Sequence, residues 1–242
     1  MQNRVLTVSA LAAALLTLPA TATEVRQHPR AVVELFTSQG CSSCPQADAR
    51  LIELGAAPDI IALAYHVDYW DYIGWPDTFG DKAYSDLQKD YAQSWGSSAI
   101  YTPQVIINGA KGVVGTHSKD VTAALDAAKL DLPVTLAVGK DMLDVDVEAR
   151  AGAPEAMVWL VTFKDRAEVV IGRGENAGKT MKYSQIVTGR QMLGMWDSVS
   201  GTHLKLPLSE LMTNGSNGAV ILVQGDKAGL PGPILGAASV QL

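Results

Sequence analysis

Two cysteines, Cys41 and Cys44, are the residues of this sequence whose spacing most directly predicts chemistry. They stand three positions apart, where an extended apolar run, Ala31 to Phe36, gives way to a segment with helical spacing, Cys44 to Leu54. Residues three apart on a helix share one face, so the two sulfurs can bond without moving the backbone. Pro45 supports a helix start here, because its missing N–H costs little only in the first turn.

This position predicts different roles for the two thiols. Cys41 would lie at the positive end of the helix dipole, which lowers a thiol pKa below about 8.5 and enriches the reactive thiolate. We therefore expect Cys41 to be the attacking nucleophile and Cys44 the resolving thiol, provided that the Cys41 sulfur is open to solvent. The alternative is an inert structural disulfide, although so short a spacing closes a tiny loop and removes little chain entropy.

Two further positions could assist the thiols. Glu34 interrupts the apolar strand before the cysteines, and a buried carboxylate there would have a raised pKa and could relay protons. The alternative is a solvated glutamate that faces the edge of a sheet. Thr102-Pro103 begins a second predicted strand, Tyr101 to Ile107, and taken alone this proline is expected to follow an ordinary trans bond.

An aromatic stretch follows the predicted strand Ile60 to Val67. Loops at the carboxyl ends of strands line the ligand crevice of an open α/β sheet. Tyr69, Trp70 and Trp75 could therefore form a wall that binds a peptide or a small apolar substrate. The alternative, a hydrophobic cluster that fixes a long loop, explains the same residues, because so many aromatic rings need burial in any case.

His66 raises a metal alternative. Two thiolates, from Cys41 and Cys44, together with one imidazole would suit Cu(I). The cysteine spacing is narrower than in thioredoxin-like copper chaperones, and His66 belongs to no ligand motif. We therefore expect no metal and no organic cofactor, and a copper-binding or copper-delivery protein stays the alternative function.

The N-terminus has the pattern of a secretory signal peptide, residues 1–22. Arg4 precedes an apolar stretch, Val5 to Leu18, and small residues precede a cleavage site after Ala22. The stretch is too short to span a membrane, so we expect a periplasmic or secreted protein without a membrane anchor. Such compartments are oxidising, so a cysteine pair there can form a disulfide and take part in redox exchange. A net charge of −6 and a pI near 5.2 argue against a nucleic-acid partner, which would require a basic surface.

The remaining chain changes character near Leu132. Strand and helix patterns alternate in residues 23–132, with predicted helices at Lys82 to Trp95 and Ser118 to Leu130, which indicates a sheet covered by helices. Short alternating segments with turns, one of them at Lys164-Asp165, fill residues 133–242. The sequence thus predicts an α/β domain followed by a small antiparallel β domain, sandwich-like in architecture.

Several stretches of this sequence resemble known protein families. The run Val33 to Pro45, followed by Tyr101-Thr102-Pro103 and a hairpin, resembles the thioredoxin-like superfamily. More closely, three stretches resemble a family of secreted bacterial thioredoxin-like proteins known only as a domain of unknown function: Phe36 to Pro45, Ala64 to Asp71 and Gly174 to Thr180.

The resemblance implies a thioredoxin-like fold with an appended β domain. It also implies that Pro103 is a cis-proline beside the cysteine pair and that the Thr102 backbone pairs with substrate. The dipeptide Ser42-Ser43 differs from the Gly-Pro of thioredoxin and the Pro-His of the strong bacterial oxidant, so the direction of electron flow stays open.

The sequence therefore predicts a secreted or periplasmic thiol–disulfide oxidoreductase. Its partners would be protein or peptide thiols and a redox partner that the sequence does not identify. A non-catalytic binding module with vestigial cysteines is a third interpretation, besides the copper protein.

Overall fold

The computed structural model describes residues 23–242, so the predicted signal peptide lies outside the described residues. Twelve strands form in this range: β1 (Glu24–Arg26), β2 (Ala31–Thr37), β3 (Ile60–His66), β4 (Gln104–Ile107), β5 (Lys111–Val114), β6 (Val134–Val138), β7 (Met142–Val147), β8 (Ala156–Val170), β9 (Thr180–Met195), β10 (Thr202–Pro207), β11 (Gly218–Lys227) and β12 (Leu230–Gln241). The helices of the same range are α1 (Pro45–Gly55), α2 (Lys82–Ser94), α3 (Ser118–Asp126) and the short α4 (Leu208–Leu211).

Local sequence explains the elements that surround the cysteines. The β-branched and aromatic residues of β2 favour an extended backbone, and every residue of that strand is buried. Pro45 begins α1 at a position where no backbone donor is needed. Asp81 caps α2, because its side chain accepts a hydrogen bond from the backbone N–H of Ala83.

Nine strands join in one mixed sheet, in the order β1-β12-β11-β8-β9-β3-β2-β4-β5. β2 pairs in parallel with β3 and antiparallel with β4, and β4 pairs antiparallel with β5. β9, β8, β11, β12 and β1 pair antiparallel with one another in that order. β9 pairs in parallel with β3, at Ala64 and Ile186. A second sheet contains β10, β7 and β6.

The large sheet buries a hydrophobic core on each face. Along β2, Val33 and Leu35 pack with α1 and α3, whereas Val32 and Phe36 face the opposite side with Tyr91 of α2. The same alternation continues across β11, whose residues face either α2 or the three-stranded sheet. Residues of β2 therefore point to α1 or to α2 according to their position in the strand.

The structure confirms a mixed α/β fold in which sheets predominate, and it corrects several predicted elements. β8 continues through Lys164 and Asp165, where a turn was predicted, because this segment pairs with β9. β9 and β10 were not predicted, and α3 ends at Asp126 instead of Leu130.

The relation between the two halves also differs from the expectation. Strands from residues 133–242 are largely antiparallel, and three of them pack as a second layer, as in a sandwich. However, β8, β9, β11 and β12 belong to the same sheet as β2 to β5, so among the later strands only β6, β7 and β10 form a sheet of their own. The domain boundaries at residues 23–132 and 133–242 stay a prediction. Across residues 23–242, no helix combines the length and apolarity that a membrane crossing requires.

Candidate functional site

Cys41 and Cys44 form a disulfide at the start of α1, with their Cα atoms 5.4 Å apart. Cys44 is the residue that immediately precedes the helix, and Cys41 lies in the turn before it, where its carbonyl accepts a hydrogen bond from the Cys44 N–H. The expectation that both cysteines share a helix face is therefore wrong, because the helix begins only at Pro45. The pair still lies at the end of α1 that carries the unpaired N–H groups.

The disulfide is covered in this conformation. Cys41 is only 1 % exposed and Cys44 is fully buried, whereas Ser42 and Ser43 between them are exposed. The expectation of an open Cys41 sulfur is thus wrong for this state. Two segments contact the turn, the connection between β8 and β9 and the aromatic stretch after β3.

The connection between β8 and β9 binds the backbone of the cysteine turn. The side-chain amide of Asn176, which is fully buried, donates to the carbonyl oxygens of Gln39 and Cys41, each at 2.9 Å. The Glu175 carboxylate accepts a hydrogen bond from the Ser42 N–H at 3.3 Å. Lys179 donates to the Asn176 Oδ1 at 2.8 Å and so fixes which way the amide points.

The aromatic stretch covers the turn from a second direction. A Cβ at Gly40 would lie 3.0 Å from the Trp70 Cβ, so only glycine allows this approach without a shift. The Trp70 indole donates to the Thr102 hydroxyl at 2.7 Å, and Trp75 donates to the Gln39 side chain at 2.9 Å. Both tryptophans thereby hold the loop in place beside the disulfide.

Tyr69 and Tyr72 differ within this stretch. The Tyr69 hydroxyl donates to Gln88 at 3.1 Å, and burial raises its pKa to about 12. Tyr72 is 82 % exposed and lies parallel to the Trp70 ring, with ring centroids 6.5 Å apart. Sequence analysis did not select Tyr72, although it is the most exposed aromatic side chain of the loop.

The peptide bond between Thr102 and Pro103 is cis, and Pro103 is buried. Gly115 brings this proline close to α1, since a Cβ there would lie 3.1 Å from the Pro103 Cβ and 3.0 Å from the Ala47 Cβ. Thr102 and the start of β4 therefore lie beside the helix that follows the cysteines.

Glu34 is buried, and desolvation raises its pKa against the opposing effects of the Tyr91 hydrogen bond and the Arg190 charge. A solvated position at the sheet edge is therefore ruled out. The Tyr91 hydroxyl donates to the Glu34 carboxylate at 2.6 Å and accepts from Gln224 at 2.7 Å. Because Tyr91 belongs to α2, Glu34 points to the face opposite α1, and no hydrogen bond links it to a cysteine.

Asp48 is the buried acid on the side of the disulfide, and sequence analysis missed it. It lies one helical turn after Cys44, and its Oδ1 accepts a hydrogen bond from the Thr37 hydroxyl at 2.7 Å. Desolvation raises the pKa of Asp48 to about 7, although His66 and Thr37 act in the opposite direction. This group can therefore bind or release a proton near neutral pH.

His66 completes this cluster of buried polar groups. Thr37 and His66 are partners in the parallel pairing of β2 and β3, so both point towards Asp48. The His66 Nδ1 lies 2.8 Å from the Asp77 carboxylate. Burial acts to raise the pKa of Asp77, but His66 and two backbone N–H donors outweigh it and hold that pKa below its usual value.

The metal alternative gains no support from this arrangement. The ring of His66 is held by Asp77, and the two sulfurs are bonded to each other. Among residues 23–242, no three side chains of His, Cys, Asp or Glu are grouped as a metal ion would require.

Residues 32–224 match the model of a family described as protein of unknown function, DUF1223. The matched segment includes the cysteine pair, Asp48 and the covering connection. The chain belongs to the DUF1223 family. A crystal structure of a protein from Agrobacterium tumefaciens, 36% identical, covers 89% of this chain and 95% of its own, with a TM-score of 0.79.

A more distant likeness concerns the fold alone. HBP35 of Porphyromonas gingivalis is 15% identical to this DUF1223 protein, with a TM-score of 0.60 over 89% of this chain and 76% of that one. A search of curated proteins gives no match.

Proposed function

We propose that this DUF1223 protein is a secreted or periplasmic thiol–disulfide oxidoreductase that acts on protein or peptide thiols. The observation that carries the proposal is the Cys41–Cys44 disulfide at the start of α1, directly after the central strand β2. The order of β2, α1, β3 and β4, with Pro103 beside α1, agrees with what the resemblance to thioredoxin-like proteins implies and supports the same conclusion. Two cysteines so close in sequence add little stability as a crosslink, which favours a redox role.

The exchange proceeds in two displacements. A substrate thiolate attacks the Cys41 sulfur, a substrate–Cys41 disulfide forms, and Cys44 leaves as a thiolate. A second substrate thiolate then attacks the substrate sulfur of the mixed disulfide, so the substrate becomes a disulfide and Cys41 leaves as a thiolate. The protein has gained two electrons and, after protonation, two thiols. In the reverse direction, the Cys41 thiolate attacks a substrate disulfide and Cys44 resolves the intermediate.

Asp48 is suited to supply the proton that the Cys44 thiolate takes up after these two displacements. It follows Cys44 by one helical turn, it is buried, and its pKa of about 7 allows both protonation states near neutral pH. Glu34, on the other face of the sheet, is not suited to the relay that the sequence predicted for it.

A substrate reaches the disulfide only if the cover moves, that is, the Glu175–Asn176 segment and the aromatic loop around Trp70. The Glu175–Asn176 segment and the Trp70 loop contact the turn through a few hydrogen bonds and side-chain contacts. The exposed ring of Tyr72, stacked beside Trp70, offers a first contact for an apolar substrate residue. Trp70 and Trp75 act here mainly by holding the loop, and Tyr69 by anchoring it to α2.

Substitution of the first cysteine tests the function. Cys41→Ser is expected to reduce catalysed disulfide exchange with a thiol-containing peptide to the uncatalysed rate, because the attacked sulfur is absent. Ser118→Ala, an exposed position at the start of α3, serves as the control and should retain the exchange rate of the wild type. Exchange rates are followed by chromatography of the peptide products. Equal rates for Cys41→Ser and the wild type would overturn the proposal.

A further inference from the structure

Glu175 and Asn176 come from the connection between β8 and β9, far along the chain from the cysteines, yet both bind the cysteine turn. Asn176 holds the carbonyl oxygens that flank Gly40, those of Gln39 and Cys41. Glu175 accepts the N–H of Ser42, the residue directly after Cys41. No step of the proposed exchange uses either side chain.

The charge of Glu175 opposes the effect of the helix start. Free N–H groups before a helix stabilise a nearby thiolate, and this stabilisation favours the reduced protein. In this turn, the Ser42 N–H is directed to a carboxylate instead. That carboxylate adds negative charge beside the position where the Cys41 thiolate forms on reduction.

We infer that Glu175, placed by Asn176 on the Ser42 N–H, is a positioning residue that disfavours the Cys41 thiolate and makes the disulfide harder to reduce. The inference rests on the proposed function for its biological meaning, but its chemistry concerns the disulfide alone. Reduction takes two electrons from two glutathione molecules, which are oxidised to one glutathione disulfide, and gives the Cys41 and Cys44 thiols.

Asn176 has a separate part in this arrangement. Its buried amide joins the connection to the turn, and Lys179 fixes the orientation of that amide. Loss of the Asn176 side chain would free the connection from the turn and expose the disulfide. Asn176 therefore controls how fast a reductant reaches the sulfurs, whereas Glu175 controls the equilibrium.

The effect of Glu175 is modest, because its side chain is exposed and water screens its charge. Lys179, which donates to Asn176 in the same connection, adds a positive charge that opposes it further. We therefore expect Glu175→Gln to shift the equilibrium with glutathione about threefold towards the dithiol, roughly 14 mV for a two-electron couple.

Glu175→Gln keeps an acceptor for the Ser42 N–H and removes only the charge. The fraction of reduced protein is measured in glutathione buffers, and the reduced protein is then alkylated with iodoacetamide at a fixed pH. Expected results are a less negative reduction potential and faster alkylation of Cys41. Glu155→Gln, which removes one charge at the opposite end of β8, is the matched control and should match the wild type.

Asn176→Ala supplies a second test. It should accelerate reduction of the native disulfide by dithiothreitol about tenfold, since the cover is released. A Glu175→Gln potential equal to that of the wild type, or an Asn176→Ala reduction rate equal to it, would overturn the corresponding part. Because the potential can be measured in a protein that exchanges with no substrate peptide, a failure of this inference and a failure of the proposed function give different results.

Discussion

Glu34 and Asp48 are both buried carboxyl groups with raised pKa values, yet they lie on opposite faces of the central sheet. Glu34 faces α2, where Tyr91 and Gln224 continue its hydrogen bonds and Arg190 donates to Gln224 at 2.7 Å. Asp48 faces the ends of β2 and β3 from within α1, one turn after Cys44.

The difference lies in what surrounds each carboxyl group. The Glu34 chain of hydrogen bonds leads away from the disulfide to Arg190, which stacks over the Trp159 ring at 3.5 Å. Within residues 23–242, each acid keeps one buried oxygen without a hydrogen-bond partner, Glu34 Oε1 and Asp48 Oδ2, and on the Asp48 side the buried His66 Nε2 also has none. Burial shifts the pKa of both acids, but only the Asp48 cluster combines a titratable group with proximity to the cysteines. Under the proposed function, Asp48 is therefore the better placed of the two acids to exchange a proton with the cysteines.

The largest expected effect is the pH dependence of stability that Asp48 causes. Asp48 has a folded-state pKa of about 7 against an ordinary value of 3.8, so the folded protein holds the proton more tightly than the unfolded chain. Its carboxyl group therefore costs stability as the pH rises from about 4 to about 7. Asp48→Asn should gain stability relative to the wild type over this window, by up to about 4 kcal/mol at pH 8.

Denaturant unfolding at a series of pH values measures this gain. Glu53→Gln, on the exposed side of α1, is the control and should run parallel to the wild type. A pH-independent difference between Asp48→Asn and the wild type would show that Asp48 is ionised in the folded protein throughout.

A smaller effect is expected on the Glu34 side. Tyr91→Phe removes the hydroxyl that donates to Glu34 and accepts from Gln224, which leaves a buried carboxyl group without that partner. We expect a loss of about 1–3 kcal/mol in the free energy of unfolding. The reduction potential of the disulfide should not change, because Tyr91 lies on the α2 face.

Tyr72→Phe is the matched control, since its hydroxyl is on an exposed ring, and it should change stability by less than about 0.5 kcal/mol. A shifted potential in Tyr91→Phe would erase the distinction between the two faces.

The smallest expected effect concerns Thr37. Its hydroxyl donates to Asp48 and lowers the pKa of that carboxyl group. Thr37→Val removes the donor at nearly constant volume, so the Asp48 pKa should rise above about 7, by up to about one unit. Carboxyl carbon NMR shifts against pH report this value directly, and an unchanged midpoint would exclude the hydrogen bond as a determinant.

Sequence patterns located the elements around the cysteines because those elements are locally determined. β2 and β3 are apolar runs, and Pro45 marks the start of α1. β8 and β9 were harder to predict from the sequence. β8 carries the charged residues Lys164 and Asp165, which are typical of a turn. Only pairing between the two strands, distant in sequence, makes them extended.

The site residues show the same division. The cysteine pair is visible as a spacing, whereas Asp48 is a single aspartate in the first turn of a helix. A carboxylate at that position ordinarily lies in solvent and interacts with the helix dipole, so nothing in the amino-acid sequence indicates that Asp48 is buried. Its importance follows from packing against Thr37 and His66, which belong to two other elements. Asn176 belongs to a stretch singled out by resemblance, but its contact with Cys41 spans 135 positions and has no local signal.

That separation has a consequence for biosynthesis. A chain that emerges from the ribosome N-terminus first has completed both cysteines long before Asn176 is added. In a chain that has not yet folded, the thiols are therefore open to an oxidant until Asn176 binds the turn, and the disulfide can form without displacing the connection between β8 and β9. In the finished protein the same bond is sheltered, so making it and breaking it follow different routes.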